Sequence, residues 1–415
     1  MDLQRIHPLR GAIQCYAWGS RTALAELLGE PAPSPEPQAE LWLGAHPRAP
    51  TSIALDTGSL SLAEAIERAP ETILGRAVAA RFGPRLPFLL KVLAVERPLS
   101  IQAHPDAAQA KHGHAREEAR GVPLAASERR YPDPHAKPEL VCALGDFSAL
   151  CGFRPAAEIA AGLDVLGLGE LASVLWPRPG DPSGEGDAPA IRRFFQGWFA
   201  SDARSREEPL QRAAAAAGRR AERDPACAWV ARLAAAHPGD AGVLAPIFLN
   251  LIALRPGQAL FLSPGELHCY LEGTAVEIMA SSDNVLRGGL TPKHVDLDEL
   301  SRVARFASRR PLPLEPEAPP SAGAPNGASL RTYRTPAAEF ELSVLEPAAG
   351  RPVEVEGGGI ELLLCERGRV EVAARAEAGP GLALVRGASC LVPAAVGPYR
   401  VEGDGRVFRA AVPAA

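Results

Sequence analysis

Apolar positions along the first 150 residues of this chain come either alternating with polar ones or in short blocks, and residues 42–44, 87–93 and 140–145 are such blocks. Glycine, proline and charged residues bound them, which predicts an all-β unit with helices between some of its strands. From residue 155 the apolar spacing changes to three and four. Residues 156–175, 191–200, 209–223 and 227–236 are alanine-rich and predict amphipathic helices. A Gly/Pro loop at 177–189 separates the first two, and the alanine tract 213–217, flanked by Arg and Glu, reads as exposed helix. Strand-like sequence resumes after Ile247, and residues 258–262 lead into a Pro264-Gly265 turn. Proline-rich residues 311–328 read as a linker or long surface loop. Beyond them, residues 340–344, 360–364, 368–372 and 407–410 are short β-runs punctuated by Gly and Pro, the pattern of a small sandwich or jelly roll. The expected fold is mainly β, with an α-helical insertion interrupting one β-domain and a second β-domain at the C-terminus.

Composition narrows the functional classes. At 415 residues the chain is too long for one ordinary core, and about 100–200 residues per domain predicts two to four domains. Its 47% apolar and 22% charged residues are those of a soluble globular protein, and no run of about 18 apolar residues predicts a membrane span. No leader for secretion is expected either. A net charge of −5 argues against nucleic acid as a partner. The seven cysteines are odd in number, form no C-x-x-C pair, and read as buried thiols in a reducing cytosol. Cys269, beside His268, falls on the opposite strand face from it and reads as a small apolar packer. Only Lys91, Lys111, Lys137 and Lys293 are lysines among 44 basic residues, so lysine is kept where a compact charge or a labile proton serves and arginine would not.

Three strand-like segments carry four candidate metal ligands. In Ser100-Ile101-Gln102-Ala103-His104-Pro105 the period of two puts Gln102 and His104 on one face. Glu139 follows in Lys137-Pro138-Glu139, and His268 follows the Pro264-Gly265 turn. Nitrogen and oxygen donors of this kind suit zinc, and one carboxylate with three neutral ligands leaves a net charge near +1, a strong Lewis acid. By itself such a set serves hydrolysis, oxygenation or structure.

Residues 14–19, 39–47, 98–105, 137–139 and the run from Gly265 to Lys293, together with the junction at 151–155, resemble type I phosphomannose isomerases. The resemblance spans roughly residues 1 to 300 and weakens in the helical block and the tail. It implies a cupin-type jelly-roll barrel with a helical insertion and a second C-terminal barrel. On that basis residues 1–154 and 246–310 form the catalytic domain, 155–245 the insertion, 311–328 a linker and 329–415 the C-terminal domain. The implied activity is the interconversion of mannose 6-phosphate and fructose 6-phosphate, in the cytoplasm, by a monomer with one zinc ion per chain held by Gln102, His104, Glu139 and His268. It also implies a place in carbohydrate metabolism and GDP-mannose biosynthesis.

Moving a hydrogen between carbons 1 and 2 through an enediol needs a stabilised oxyanion and a proton carrier. By resemblance Glu277, Asp283 and Arg287 line the pocket, Lys137 and Lys293 are further cations, and Ser100, Lys91 and Trp18 bind the substrate or its phosphate. His46, in Gly44-Ala45-His46-Pro47, reads as a supporting group rather than a ligand. One position departs from the family pattern: Ala136 stands before Lys137 where the family has His. His135, one residue earlier, points to the other face of an extended segment and is no substitute. That departure motivates an alternative reading, a metal-binding cupin that binds sugar phosphates in a regulatory role without turnover. An oxygenase is disfavoured because its facial set pairs two His with one carboxylate, without a glutamine or surrounding cations.

Overall fold

The computed structural model describes residues 2–55, 58–176, 186–318, 328–376 and 380–414. Most of the expected Gly/Pro loop, residues 177–185, and positions 319–327 of the proline-rich stretch lie outside them. The architecture is mainly β: two ten-stranded sheets, paired antiparallel, with a block of helices between residues 156 and 248 and further helices before residue 120 and at Leu297–Val303.

In the sheet that carries the candidate metal ligands the spatial order is Leu249–Leu254, Phe147–Phe153, His268–Ala280, Phe88–Val95, Glu40–Leu43 and Ala12–Gln14. Glu139–Ala143 pairs with both His268–Ala280 and Ala259–Leu262, and Gln102–Ala103 with both His268 and Leu286–Arg287. Every residue of Phe88–Val95 is buried, because both faces of this strand are covered. Phe88, Leu90, Val92 and Ala94 pack toward the C-terminal sheet with Tyr333, Leu342 and Phe408. Leu93 and Val95 face the barrel interior with Val141, Phe147 and Ala275. Period-two alternation then sends Lys91 inward between Leu89 and Leu93. The same parity turns Glu139 and Glu277 inward on their strands.

Two glycines shape this barrel. His268–Ala280 pairs with Phe147–Phe153 over its first half and with Phe88–Val95 over its second, and it bends at Gly273. There φ is 119°, and a Cβ would lie 2.5 Å from the Asp146 carbonyl oxygen, so only glycine lets the strand change partners. At Gly265 φ is 84° and a Cβ would meet the Val303 carbonyl oxygen at 2.9 Å. Its N–H donates to His104 O at 2.7 Å, tying the turn before His268 to the segment carrying His104.

The insertion docks on the barrel through an aromatic core in which Phe153 contacts Phe195, Phe248 and Phe306 at centroid separations of 5.8, 6.1 and 5.4 Å. One helix begins earlier than the spacing predicts: it spans Ala203–Gly218, because Asp202 caps Ser205 N at 2.9 Å and Pro209 is accommodated inside. The C-terminal runs 360–364 and 368–372 prove to be one strand, Glu361–Ala374, with a bulge between Cys365 and Arg367.

The C-terminal sheet borrows from the start of the chain. His7–Arg10 pairs with Ser389–Val392 on one side and Ser52–Leu55 on the other, and Ser52–Leu55 with Gly58–Ser61. Within 311–318, Leu314 bridges to Ala259 and Glu317 to Thr332, so the described part of the proline-rich stretch is stitched to both sheets. All seven cysteines are unpaired; six are buried, whereas Cys15, expected inside, is exposed.

Candidate metal centre and its pocket

His104, Glu139 and His268 converge: one ligand atom from each lies within 4.8 Å of the others, and all three side chains are buried. His104 Nε2 is 3.3 Å from Glu139 Oε1 and His268 Nε2 is 3.4 Å from Glu139 Oε2. Each imidazole donates its Nδ1 proton to a backbone carbonyl, His104 to Asn284 O at 2.7 Å and His268 to Glu266 O at 2.9 Å. That fixes the tautomer with a bare Nε2 aimed at the carboxylate, the state a metal needs. His104 Nε2 is buried with no hydrogen-bond partner, an orphan that a cation satisfies. Burial, with Lys137 nearby, lowers the His104 pKa to about 4, so this imidazole is neutral at pH 7. Burial alone would raise the Glu139 pKa, but the Lys137 ammonium and the two imidazoles hold it well below the usual carboxylate range.

Register brings Gln102 beside His268. It stands directly opposite His268 on one side and Arg287 on the other, and directly paired residues of antiparallel strands share a face. Gln102, His268 and Arg287 thus form one row. The segment is anchored on its far side by the helix Ala107–Ala119. There Asp106 accepts from Gln109 N at 2.8 Å while Gln109 Oε1 accepts from Asp106 N at 3.0 Å, a capping box.

A second inward row runs across Trp42, Lys91 and Glu277, in register. Lys91 Nζ donates to Glu277 Oε2 at 3.0 Å and lies 3.8 Å from Glu40 Oε2. Tyr270 Oη donates to Glu277 Oε1 at 2.8 Å, and Trp42 Nε1 to Glu40 Oε2 at 2.5 Å. Burial works against the Lys91 charge, but the two carboxylates outweigh it and raise its pKa. Glu277 is raised by burial, tempered by Lys91. Lys137 Nζ is 2.9 Å from Glu139 Oε1, beside the candidate metal ligands.

Asp283 lies at the rim. His46 Nε2 is 3.2 Å from its Oδ2 and an Arg48 guanidinium nitrogen 3.0 Å from its Oδ1. Burial would raise its pKa, but the hydrogen bond from His46 and the charge of the Arg48 guanidinium lower it to about 2. Arg287 is half-buried, and Lys293, exposed, has its pKa lowered by Arg287 first and then by burial. Neither cation pairs with a carboxylate among the described residues. Trp18 packs at the edge of the barrel core and stacks on Tyr16 at 5.9 Å. Ser100 is half-buried between Leu99, whose N–H donates to Tyr270 O, and Ile101, whose N–H donates to Gly289 O.

His135 does not enter the pocket: its Nδ1 lies 3.4 Å from an Arg85 nitrogen, and its carbonyl accepts from Asn284 Nδ2 at 2.8 Å. Sequence reading overlooked Glu40, Tyr270 and Asp133. Parity signals the first two, since Glu40 shares a face with Trp42, and Tyr270 with His268. Nothing local marks Asp133, which accepts from Ser282 Oγ at 3.1 Å and Asp283 N at 2.8 Å across 150 residues of chain.

Comparison with known proteins agrees with this geometry. Residues 6–156 match the family described as phosphomannose isomerase type I, catalytic domain. The chain is 37% identical to the mannose-6-phosphate isomerase of Escherichia coli strain K12, covering 97% of this chain and 98% of that one. It is 36% identical to the Homo sapiens enzyme over 74% of each. A crystal structure of mannose 6-phosphate isomerase from Salmonella typhimurium, bound to the substrate fructose 6-phosphate and zinc, superposes with a TM-score of 0.85 at 33% identity. That alignment covers 99% of this chain and 100% of that one.

Proposed function

This chain belongs to the type I phosphomannose isomerases, and from that premise we propose how its residues divide the work of interconverting mannose 6-phosphate and fructose 6-phosphate with zinc. The observation that carries the proposal is the His104–Glu139–His268 cluster, with its pinned tautomers and orphaned Nε2. Gln102, opposite His268, completes the ligand set. Zinc bound there supplies a Lewis acid for the sugar oxygens.

The chain's own side chains do the rest. Lys137, beside Glu139, and Arg287, in the row of Gln102 and His268, place cationic charge where the enediolate develops. Asp283, held ionised at neutral pH, and Glu277, raised by burial, are the carboxylates that handle the proton between carbons 1 and 2. Lys91 is engaged by Glu277 and Glu40 and keeps that pair of buried carboxylates compatible, although its sequence context had suggested the phosphate. Lys293, without a carboxylate partner among the described residues, is better suited to the phosphate, with Ser100 and Trp18 bounding the substrate. His135 supplies no substitute for the imidazole missing at Ala136, so proton transfer falls to the carboxylates.

We place the protein in the cytoplasm as a monomer acting on a small sugar phosphate, without nucleic acid or membrane partners. Unpaired thiols suit a reducing compartment, and no helix among the described residues is long and apolar enough to cross a membrane. A coupled assay of the purified protein, before and after chelation, tests the activity: turnover lost with the metal and regained with zinc is expected. Failure to turn over with zinc restored refutes it and favours the non-catalytic sugar-phosphate binder.

A further inference from the structure

The chemistry above uses Asp283 but leaves His46 without a task, although this histidine is 5% exposed and lies against that carboxylate. Its ring is held on every side. Arg48 N–H donates to Nδ1 at 3.3 Å, which leaves the proton on Nε2, facing Asp283 Oδ2 at 3.2 Å. The Trp42 ring meets the imidazole edge-on, centroids 4.8 Å apart at 71°. The loop carrying it is closed by Thr51, whose Oγ1 accepts from Gly44 N at 2.8 Å and donates to Trp42 O at 3.3 Å.

Asp283 is gripped from the opposite side as well, through its backbone N–H to Asp133 Oδ2. The next carbonyl, Asn284 O, accepts the Nδ1 proton of His104. A shift in this turn therefore disturbs both a pocket carboxylate and a metal ligand. Of the two side chains that bind the Asp283 carboxylate, Arg48 is 62% exposed and free to exchange with water. His46 is the rigid partner.

We propose that His46 is a positioning residue for the isomerisation: its Nε2–H fixes the orientation of the Asp283 carboxylate toward the substrate and acts through no other group. The proposal rests on the assignment of Asp283 to proton handling. It extends that assignment to a strand-end loop about 235 residues away in sequence.

The test compares His46→Gln, whose amide nitrogen takes the place of Nε2, with His46→Asn, which retains polarity but cannot reach Asp283. Each is measured with Asp283 intact and in an Asp283→Asn background, on zinc-replete protein of verified metal content and Tm. His46→Asn is expected to lower kcat by about tenfold or more, with KM for mannose 6-phosphate and zinc content changed by less than about twofold. His46→Gln is expected to restore most of kcat, and neither change to slow the Asp283→Asn enzyme further. A wild-type kcat in His46→Asn overturns the proposal. So does a His46→Gln enzyme as slow as His46→Asn, or a full additional loss on top of Asp283→Asn. Inactive wild-type protein, by contrast, refutes the isomerase reading itself, and unchanged turnover in Asp283→Asn removes the carboxylate from the mechanism.

Discussion

His104 and His268 each spend their Nδ1 proton on a main-chain carbonyl, so the metal-facing nitrogen of each is settled by backbone geometry. Replacing either with alanine removes one donor from a compact set, and His104→Ala and His268→Ala are expected to emerge with little bound zinc and less than about 1% of wild-type turnover. Metal analysis by mass spectrometry checks this, and full zinc occupancy in either variant contradicts the assignment. Ala136 poses the opposite question. If an imidazole there were needed for proton transfer, installing it would raise turnover by about 100-fold or more; with carboxylates carrying the proton, Ala136→His is expected to leave kcat within about threefold. Asp283 makes a pH-dependent contribution whose sign follows from its lowered pKa of about 2 against an ordinary 3.8. The folded state prefers the carboxylate, so the stabilisation is complete above about pH 4 and disappears as pH falls through 2. The Tm difference between wild type and Asp283→Asn is therefore expected to be constant above about pH 5 and to shrink on acidification; a difference that grows toward pH 3 would reverse the sign.

At the scale of elements, the pocket is built by one long strand that serves two neighbourhoods. His268–Ala280 delivers His268 to the ligand row at its start and Glu277 to the Lys91 row near its end, and Gly273 lets it bend between them. A side chain at Gly273 must adopt a strained φ and displace the 146–147 backbone, so Gly273→Val is expected to destabilise the protein by about 3 kcal/mol or more. It should depress kcat as well, by pulling the two rows out of alignment. Thermal unfolding together with kinetics at saturating substrate checks it, and an unchanged Tm disposes of the bend as a requirement. Much of this arrangement could be read from the chain. Gln102 with His104, Glu139 after Lys137, and His268 after its glycine turn were visible because strand period and turn chemistry are local. The long-range contacts were not: Asn284 reaches His104 across 180 residues, and although parity turns Tyr270 and Glu40 inward, only strand register brings them to Glu277 and Lys91. Local sequence also set the start of Ala203–Gly218 too late, because a proline at 209 resembles a helix opening when the true cap is Asp202.

For the molecule as a whole, the division into a catalytic and a C-terminal domain describes the order of the chain better than its packing. His7–Arg10 and Ser52–Leu55 continue the C-terminal sheet, and one hydrophobic core holds Phe88, Leu90, Val92, Val276 and Ile278 together with Tyr333, Leu342, Ile360 and Phe408. This mixing was illegible in sequence, since short apolar runs at the N-terminus look the same whichever sheet they join. It has an energetic consequence. Those five catalytic-side residues, each worth roughly 1.5–3 kcal/mol when buried, approach the whole net stability of a domain, roughly 5–15 kcal/mol. A chain ending after residue 318 leaves that face uncovered and His7–Arg10 without its Ser389–Val392 partner. The inward-facing side chains Lys91 and Glu277 sit on the same two strands and depend on that cover to stay in register. The shortened protein is expected to lose near-UV circular dichroism, bind a hydrophobic dye and show no turnover even with zinc in excess. A soluble 1–318 fragment with native near-UV signal and activity would show instead that the catalytic barrel closes without the C-terminal sheet.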